Sequence, residues 1–216
     1  MLPPTPRALV FDLDGLLVDT ESKWTIAEQT LFARHGRPYG AAEKALLIGR
    51  TVESSAREMA RLLDREGEHE PIMDELVAEV DALILAGVSP MPGAATLVSI
   101  LSGRLPIAVA SNSSRAYVDL VLAHSGLDAY FPVRVGVDEV ARGKPAPDPY
   151  LRACSLLDAE PTLSVAFEDT ALGARSAIAA GMRVVGVPSM PDPPMVCDLL
   201  VASLDDPALL AWASSI

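Results

Sequence analysis

Short runs rich in strand formers lie at 8–11, 107–110, 133–137, 164–167 and 184–187, broken only by Arg134, Ser164 and two glycines; the first, Ala8 to Phe11, has the wholly apolar pattern of a strand buried on both faces. Between them, over about 94–102, 115–125, 149–157 and 172–180, apolar residues return at helical spacing. Strands alternating with helices long enough to be crossovers predict an α/β fold, a doubly wound, mostly parallel, Rossmann-like sheet covered on both faces. The stretch from about 22 to 85 breaks the rhythm and shows helical spacing only. Trp24, Ala27, Leu31 and Phe32 form one stripe, ending near Gly36. A short helix over 42–48 stops at Gly49, another opens at Thr51 as N-cap, and a fourth runs from about Pro71 to Gly87. The expected organisation is a core domain of residues 1–18 and 90–216 with a helical cap domain, 19–89, inserted after the first strand. Residues 188–194 read as a proline-rich loop.

Composition narrows the choices. Half of the 216 residues are apolar, enough for a sizeable core, and the formal charge is −12. That charge argues against nucleic acid or an anionic membrane surface as partner. The N-terminus lacks a signal-peptide pattern and no apolar run reaches membrane-spanning length. The expectation is a cytoplasmic monomer whose two cysteines, Cys154 and Cys197, are packing residues. His35, His69 and His124 follow no metal-ligand spacing.

The chemistry lies where the strands end. The first run closes Phe11-Asp12-Leu13-Asp14-Gly15. Side chains two apart on a strand share a side, so the two aspartates project together from the edge where open α/β sheets bind ligands. Like charges so close resist ionising unless a cation lies between them, and oxygen ligands suit Mg²⁺. Taken singly, the pair also fits a plain polar turn. The second strand ends Ser111-Asn112-Ser113-Ser114, able to hold an anion at a helix start, though one of Ser113 and Ser114 serves as N-cap. Lys144 sits among three prolines in Gly143-Lys144-Pro145-Ala146-Pro147-Asp148-Pro149-Tyr150, a rigid mount for a counter-charge. Another strand ends Glu168-Asp169-Thr170, either two more carboxylates for a metal or an N-cap Asp. Four strands of one sheet all ending in groups fit for Mg²⁺ or phosphate make accident a poor explanation.

With these motifs the whole chain resembles the haloacid dehalogenase-like hydrolases, in the branch with a helical cap after the first strand that holds β-phosphoglucomutase and the sugar and polyol phosphate phosphatases. The resemblance implies Asp12 as nucleophile for a phosphoryl group and Asp14 as general acid, then base. It implies Ser111 and Lys144 as phosphate holders, with Gly15 and Asn112 beside them. Mg²⁺ would be held by Asp12, Asp169, the main chain of Asp14 and, as an additional ligand, Glu168. Phosphoryl transfer needs positioning and charge neutralisation more than covalent power, which suits these residue types.

Substrate choice is expected in the cap, where Glu21 and Arg50 are the candidate contacts. The phosphomutase of this branch has a histidine where this chain has Trp24, which implies a phosphatase. The expected activity is therefore Mg²⁺-dependent hydrolysis of a small phosphate monoester, a sugar or polyol phosphate, through an aspartyl-phosphate. A phosphomutase using the same groups is the alternative. A non-catalytic binding module is disfavoured by the intact acidic set, and a dehalogenase by Asp14.

Overall fold

The computed structural model describes residues 5–47, 51–189 and 194–216. By its contacts the chain divides into two compact units: one holds the chain up to Asp19 and from Ser89 onward, the other Thr20–Val88.

In the first unit six strands among the described residues form one parallel sheet: β1 Leu9–Phe11, β2 Ile107–Ala110, β3 Val133–Val135, β4 Val165–Glu168, β5 Arg183–Gly186 and β6 Leu199–Leu200. Their order is β3-β2-β1-β4-β5-β6, so β1 lies centrally between β2 and β4. Both inner neighbours are in register with it: Phe11 stands opposite Val109 and Phe167. Side chains alternate along each strand, which divides the core in two. Phe11 stacks on Phe167 at 4.4 Å and meets Phe131 edge-on at 5.7 Å on one face. Val10, Ala108, Ala110 and Ala166 face the other way. There they meet Tyr150, Ala153, Ala174 and Ala177 of two crossover helices, Asp148–Leu156 and Ala171–Ala179. Alanines on both sides of that layer leave room for one large side chain, Tyr150.

The predicted strands and crossovers are all present, with β3 shorter than its apolar run because Val137–Glu139 turns into a 3₁₀ segment. Two elements were not foreseen. β6 is two residues long and half exposed, too short for any periodicity, and Pro207–Ser215 is a C-terminal helix capped by Asp206. Both cysteines are free, Cys154 buried against Met182.

The second unit holds helices Glu21–Arg34, Ala41–Leu47, Val52–Leu62 and His69–Leu85. Thr51 caps the third as expected, its hydroxyl accepting from the Ser54 N–H at 3.2 Å. One inward position differs from the sequence reading. Trp24 is half-buried, whereas Glu28 is buried, receiving Lys44 Nζ at 3.1 Å and the Tyr39 hydroxyl. An acid four residues after a tryptophan on an apolar stripe is not recognisable as core from spacing alone.

Candidate active site

Register explains why the acids meet. Since Phe11 is level with Phe167, Asp12 and Glu168 follow side by side, on the face that Val10 and Ala166 share. The Asp12 N–H donates to the Phe167 carbonyl at 3.0 Å, and the Val187 N–H to the Glu168 carbonyl at 2.8 Å, so the ladder holds both main chains to the edge. Lys144 lies between the two carboxylates: its ammonium donates to Asp12 Oδ1 and Glu168 Oε1, each at 2.5 Å. All three side chains are almost wholly inaccessible.

The mount for Lys144 is Asn112. Its amide Nδ2 donates to the Lys144 carbonyl at 3.2 Å, and its Oδ1 accepts the Lys144 N–H at 2.7 Å. A Cβ on Gly143 would come within 2.7 Å of that Oδ1, so the glycine permits the clasp. The Asn112 side chain is thus committed to the lysine's backbone. Asp14 points elsewhere: its Oδ2 accepts from the Ser111 hydroxyl at 3.2 Å and the Ser113 hydroxyl at 3.0 Å. Ser114 is the N-cap, accepting from the Tyr117 N–H, so the two hydroxyls divide the labour as the sequence had suggested one of them would.

Asp169 is nearly buried, and its Oδ2 accepts from the Ser189 hydroxyl at 2.6 Å. Its Oδ1 is buried with no hydrogen-bond partner among the described residues. The helix after β4 is capped by Thr170 rather than by Asp169, which leaves the aspartate free for other use. Gly15 lies against this group with φ +79°, and a Cβ there would stand 2.5 Å from Asp169 Oδ2. A side chain would be strained by the backbone and would strike the acid.

Oxygens of Asp12, Glu168 and Asp169 lie within 4.8 Å of one another. With Asp14 close by, the cluster counts four carboxylates and one ammonium, of which Asp12 and Glu168 meet the ammonium directly. Burial, and then repulsion from Glu168, pushes Asp169 up to about 7. Burial also raises Asp12 well above the carboxylate range, with Lys144 opposing it and the neighbouring acids adding to it. Burial alone would lower Lys144, but Asp12 and Glu168 outweigh it and keep the ammonium charged. The cluster is short of positive charge. A hard divalent cation on oxygen ligands fits that deficit, and the bare Asp169 Oδ1 is a ready donor. The oxygens of Glu168 are more occupied: Oε1 takes Lys144 and the Tyr150 hydroxyl, and Oε2 takes Thr170.

The structure therefore gathers Asp12, Asp14, Gly15, Ser111, Asn112, Lys144, Glu168 and Asp169 in the strand-bearing unit. Glu21 belongs to the helical unit, paired with Lys44 at 2.5 Å. Arg50 and the end of the 42–48 helix lie outside the described residues. Sequence reasoning gave no role to Ser113 in holding Asp14, to Ser189, or to Tyr150. Ser189 follows a proline in a loop with no motif. Tyr150 closes the Gly143–Tyr150 motif, and nothing in the spacing of that motif marks it as buried.

A doubly wound sheet with buried acids and a fixed lysine on its C-terminal edge defines an α/β enzyme that does its chemistry at the strand ends. The chain belongs to the haloacid dehalogenase-like hydrolases, whose family model matches residues 9–187. It is similar to the fructose-1-phosphate phosphatase YqaB of Escherichia coli, 33% identical over 83% of this chain and 95% of that one. It is 34% identical to the validoxylamine A 7'-phosphate phosphatase of Streptomyces hygroscopicus subsp. limoneus, over 86% of this chain and 87% of that one. Among solved structures, CbbY from Rhodobacter sphaeroides in complex with phosphate superposes with a TM-score of 0.80 at 27% identity, covering 97% and 99% of the two chains. The resemblance carried by the motifs holds, and the chain is a hydrolase.

Proposed function

We propose that this hydrolase is a Mg²⁺-dependent phosphatase of a small phosphorylated metabolite, a sugar or polyol phosphate, working through an aspartyl-phosphate on Asp12. The observation that carries the reading is the buried trio of Asp12, Lys144 and Asp169: a carboxylate held by an ammonium, beside an acid with a bare oxygen. The relatives that act on fructose 1-phosphate and validoxylamine A 7'-phosphate support the substrate class.

In this reading Lys144 and Ser111 grip the phosphoryl oxygens and align phosphorus with Asp12. An Asp12 oxygen attacks phosphorus, the bond to the leaving oxygen breaks, and Asp14 delivers its proton to that oxygen. Asp14 then takes a proton from water, which attacks the same phosphorus and returns Asp12 as a carboxylate. Ser111 has one proton to donate, so when it turns to phosphate, Ser113 keeps Asp14 in place. Asp12 and Asp169 would hold Mg²⁺, with Glu168 and the main chain of Asp14 as additional ligands; the ion supplies neutralisation of charge on the phosphoryl oxygens. The helical unit is the cap in this reading, with Glu21 and Arg50 contacting the leaving group. All the groups that do the chemistry come from one chain, in keeping with a monomer, and two free thiols suit the cytoplasm.

The test is a panel of sugar and polyol phosphates assayed for inorganic phosphate with Mg²⁺ and with excess chelator. The expected result is release from at least one panel member, abolished by chelation and restored by Mg²⁺. The panel includes β-glucose 1-phosphate with and without the 1,6-bisphosphate. Glucose 6-phosphate forming faster than any phosphate release would establish the phosphomutase instead.

A further inference from the structure

Tyr150 is completely buried. It lies in helix Asp148–Leu156, on the face of the sheet from which Asp12 and Glu168 project. Its hydroxyl donates to Glu168 Oε1 at 2.6 Å, and Lys144 Nζ stands 5.0 Å from the centre of its ring. No established step of the proposed reaction uses it.

The geometry around Lys144 shows what it can do. An ammonium has three donors. One goes to Asp12 Oδ1 and one to Glu168 Oε1. The third is the donor left for a phosphoryl oxygen, and its direction is fixed by the other two. Glu168 Oε1 has two lone pairs, of which Tyr150 takes one, so Lys144 is confined to the other. The far oxygen, Oε2, is held by the Thr170 hydroxyl at 3.2 Å. A Cβ on Gly173 would overlap the Glu168 carboxylate, so the helix packs hard against that acid. The carboxylate is thereby gripped at both ends. The ring face attracts the ammonium without using any of its donors.

We propose that Tyr150 is a positioning residue: through Glu168 it sets the direction in which Lys144 presents its remaining N–H to phosphate. This rests on Lys144 being the phosphate holder of the function proposed above. Tyr150→Phe keeps the ring and its packing and removes only the hydroxyl.

The experiment is a double-mutant cycle of Tyr150→Phe and Glu168→Gln, read by calorimetric binding of inorganic phosphate in Mg²⁺ and by kcat and KM for p-nitrophenyl phosphate. In the native background, Tyr150→Phe is expected to weaken phosphate binding and lower kcat/KM by about tenfold each, with Tm little changed. In the Glu168→Gln background the same substitution should change either quantity less than about twofold, because an uncharged amide, although it still accepts from the hydroxyl, no longer fixes the Lys144 ammonium for Tyr150 to orient. Equal losses in both backgrounds would overturn the proposal, as would a Tyr150→Phe protein with native phosphate affinity. If Glu168→Gln does not fold, Tyr150→Phe decides alone: native affinity and kcat overturn the proposal, and a loss in both at unchanged Tm supports it. Coupling in phosphate binding without turnover of any monoester would sink the phosphatase reading and leave the role of Tyr150 standing. A native protein that binds no phosphate would overturn both.

Discussion

In the strand-bearing unit Lys144 and Glu168 pair with side-chain exposures of 3% and 0%, and in the helical unit Arg57 and Glu53 pair with 57% and 63%. The helical pair is one helical turn apart on one surface, as are Arg61 and Glu58, and Arg65 pairs with Glu68 in the loop that follows. Such exposed pairs are screened and contribute little. The buried set is different in kind. Removing several carboxylates from water incurs a desolvation penalty that one ammonium does not offset. A chain folding for stability alone has no use for four acids around one lysine at the edge of its central strand. The difference teaches that charge burial without charge balance marks the working end of this molecule.

The largest expected effect breaks the buried cluster at its centre. Asp12→Asn should lower kcat by a factor on the order of 10⁴ or more in a folded protein, because an amide is neither nucleophile nor good metal ligand. Substantial turnover by that variant would remove the covalent mechanism. Next comes the metal: Asp169→Asn should weaken Mg²⁺ binding, measured by calorimetric titration, by at least about tenfold. Native affinity in the variant would show that the bare oxygen is not a ligand.

The pH dependence of the metal-free protein sharpens the comparison. Asp169 has a folded pKa raised to about 7, above its ordinary unfolded value near 4. A group raised on folding contributes stability that is present below its unfolded pKa and lost as pH rises through the folded one. In chelator the protein should therefore lose stability between about pH 4 and pH 7, seen as a falling Tm. Mg²⁺ or Asp169→Asn should flatten that fall. A metal-free protein whose stability rises over the same window would contradict the shortage of positive charge.

How much of this was legible in the sequence depended on the element. Five strands and the crossover helices could be read because buried parallel strands leave short runs rich in apolar strand formers, spaced by segments of helical periodicity. The acids could be placed together because the strand ends of such a sheet share one edge. β6 and the terminal helix could not, the first for its two-residue length and the second because its short stretch of mostly small apolar residues, Pro207–Ser215, shows no clear stripe. Within the site, residue types were readable but partners were not. Asn112 reads from the sequence as standing beside the phosphate holders, and its amide clasps the backbone of Lys144, a pairing 32 residues apart that only the folded chain reveals. In the helical unit the apolar stripe was read, and the buried Glu28 beneath it was not.

Glu28 supplies the smaller effects. It is the helical unit's own buried acid, yet it is balanced by Lys44 and Tyr39. Glu28→Gln should destabilise that unit by roughly 1–3 kcal/mol, by loss of a charged partner to two donors. A neutral outcome would place Glu28 with the surface charges. Smallest of all, Arg57→Ala should shift Tm by no more than about one degree, since its ion pair with Glu53 is largely solvated.

The central claim is that Asp12 carries the phosphoryl group, and it is tested most directly by the mass of the trapped enzyme. Asp14→Asn lacks the base that activates water but does not need its acid for an aryl phosphate, whose leaving group departs unaided. Incubated with p-nitrophenyl phosphate and Mg²⁺ and quenched in acid, this variant should gain one phosphoryl group, located by peptide mass on the segment containing Asp12. An unchanged mass alongside continued release of nitrophenol, or a phosphoryl group on a peptide without Asp12, would contradict the account.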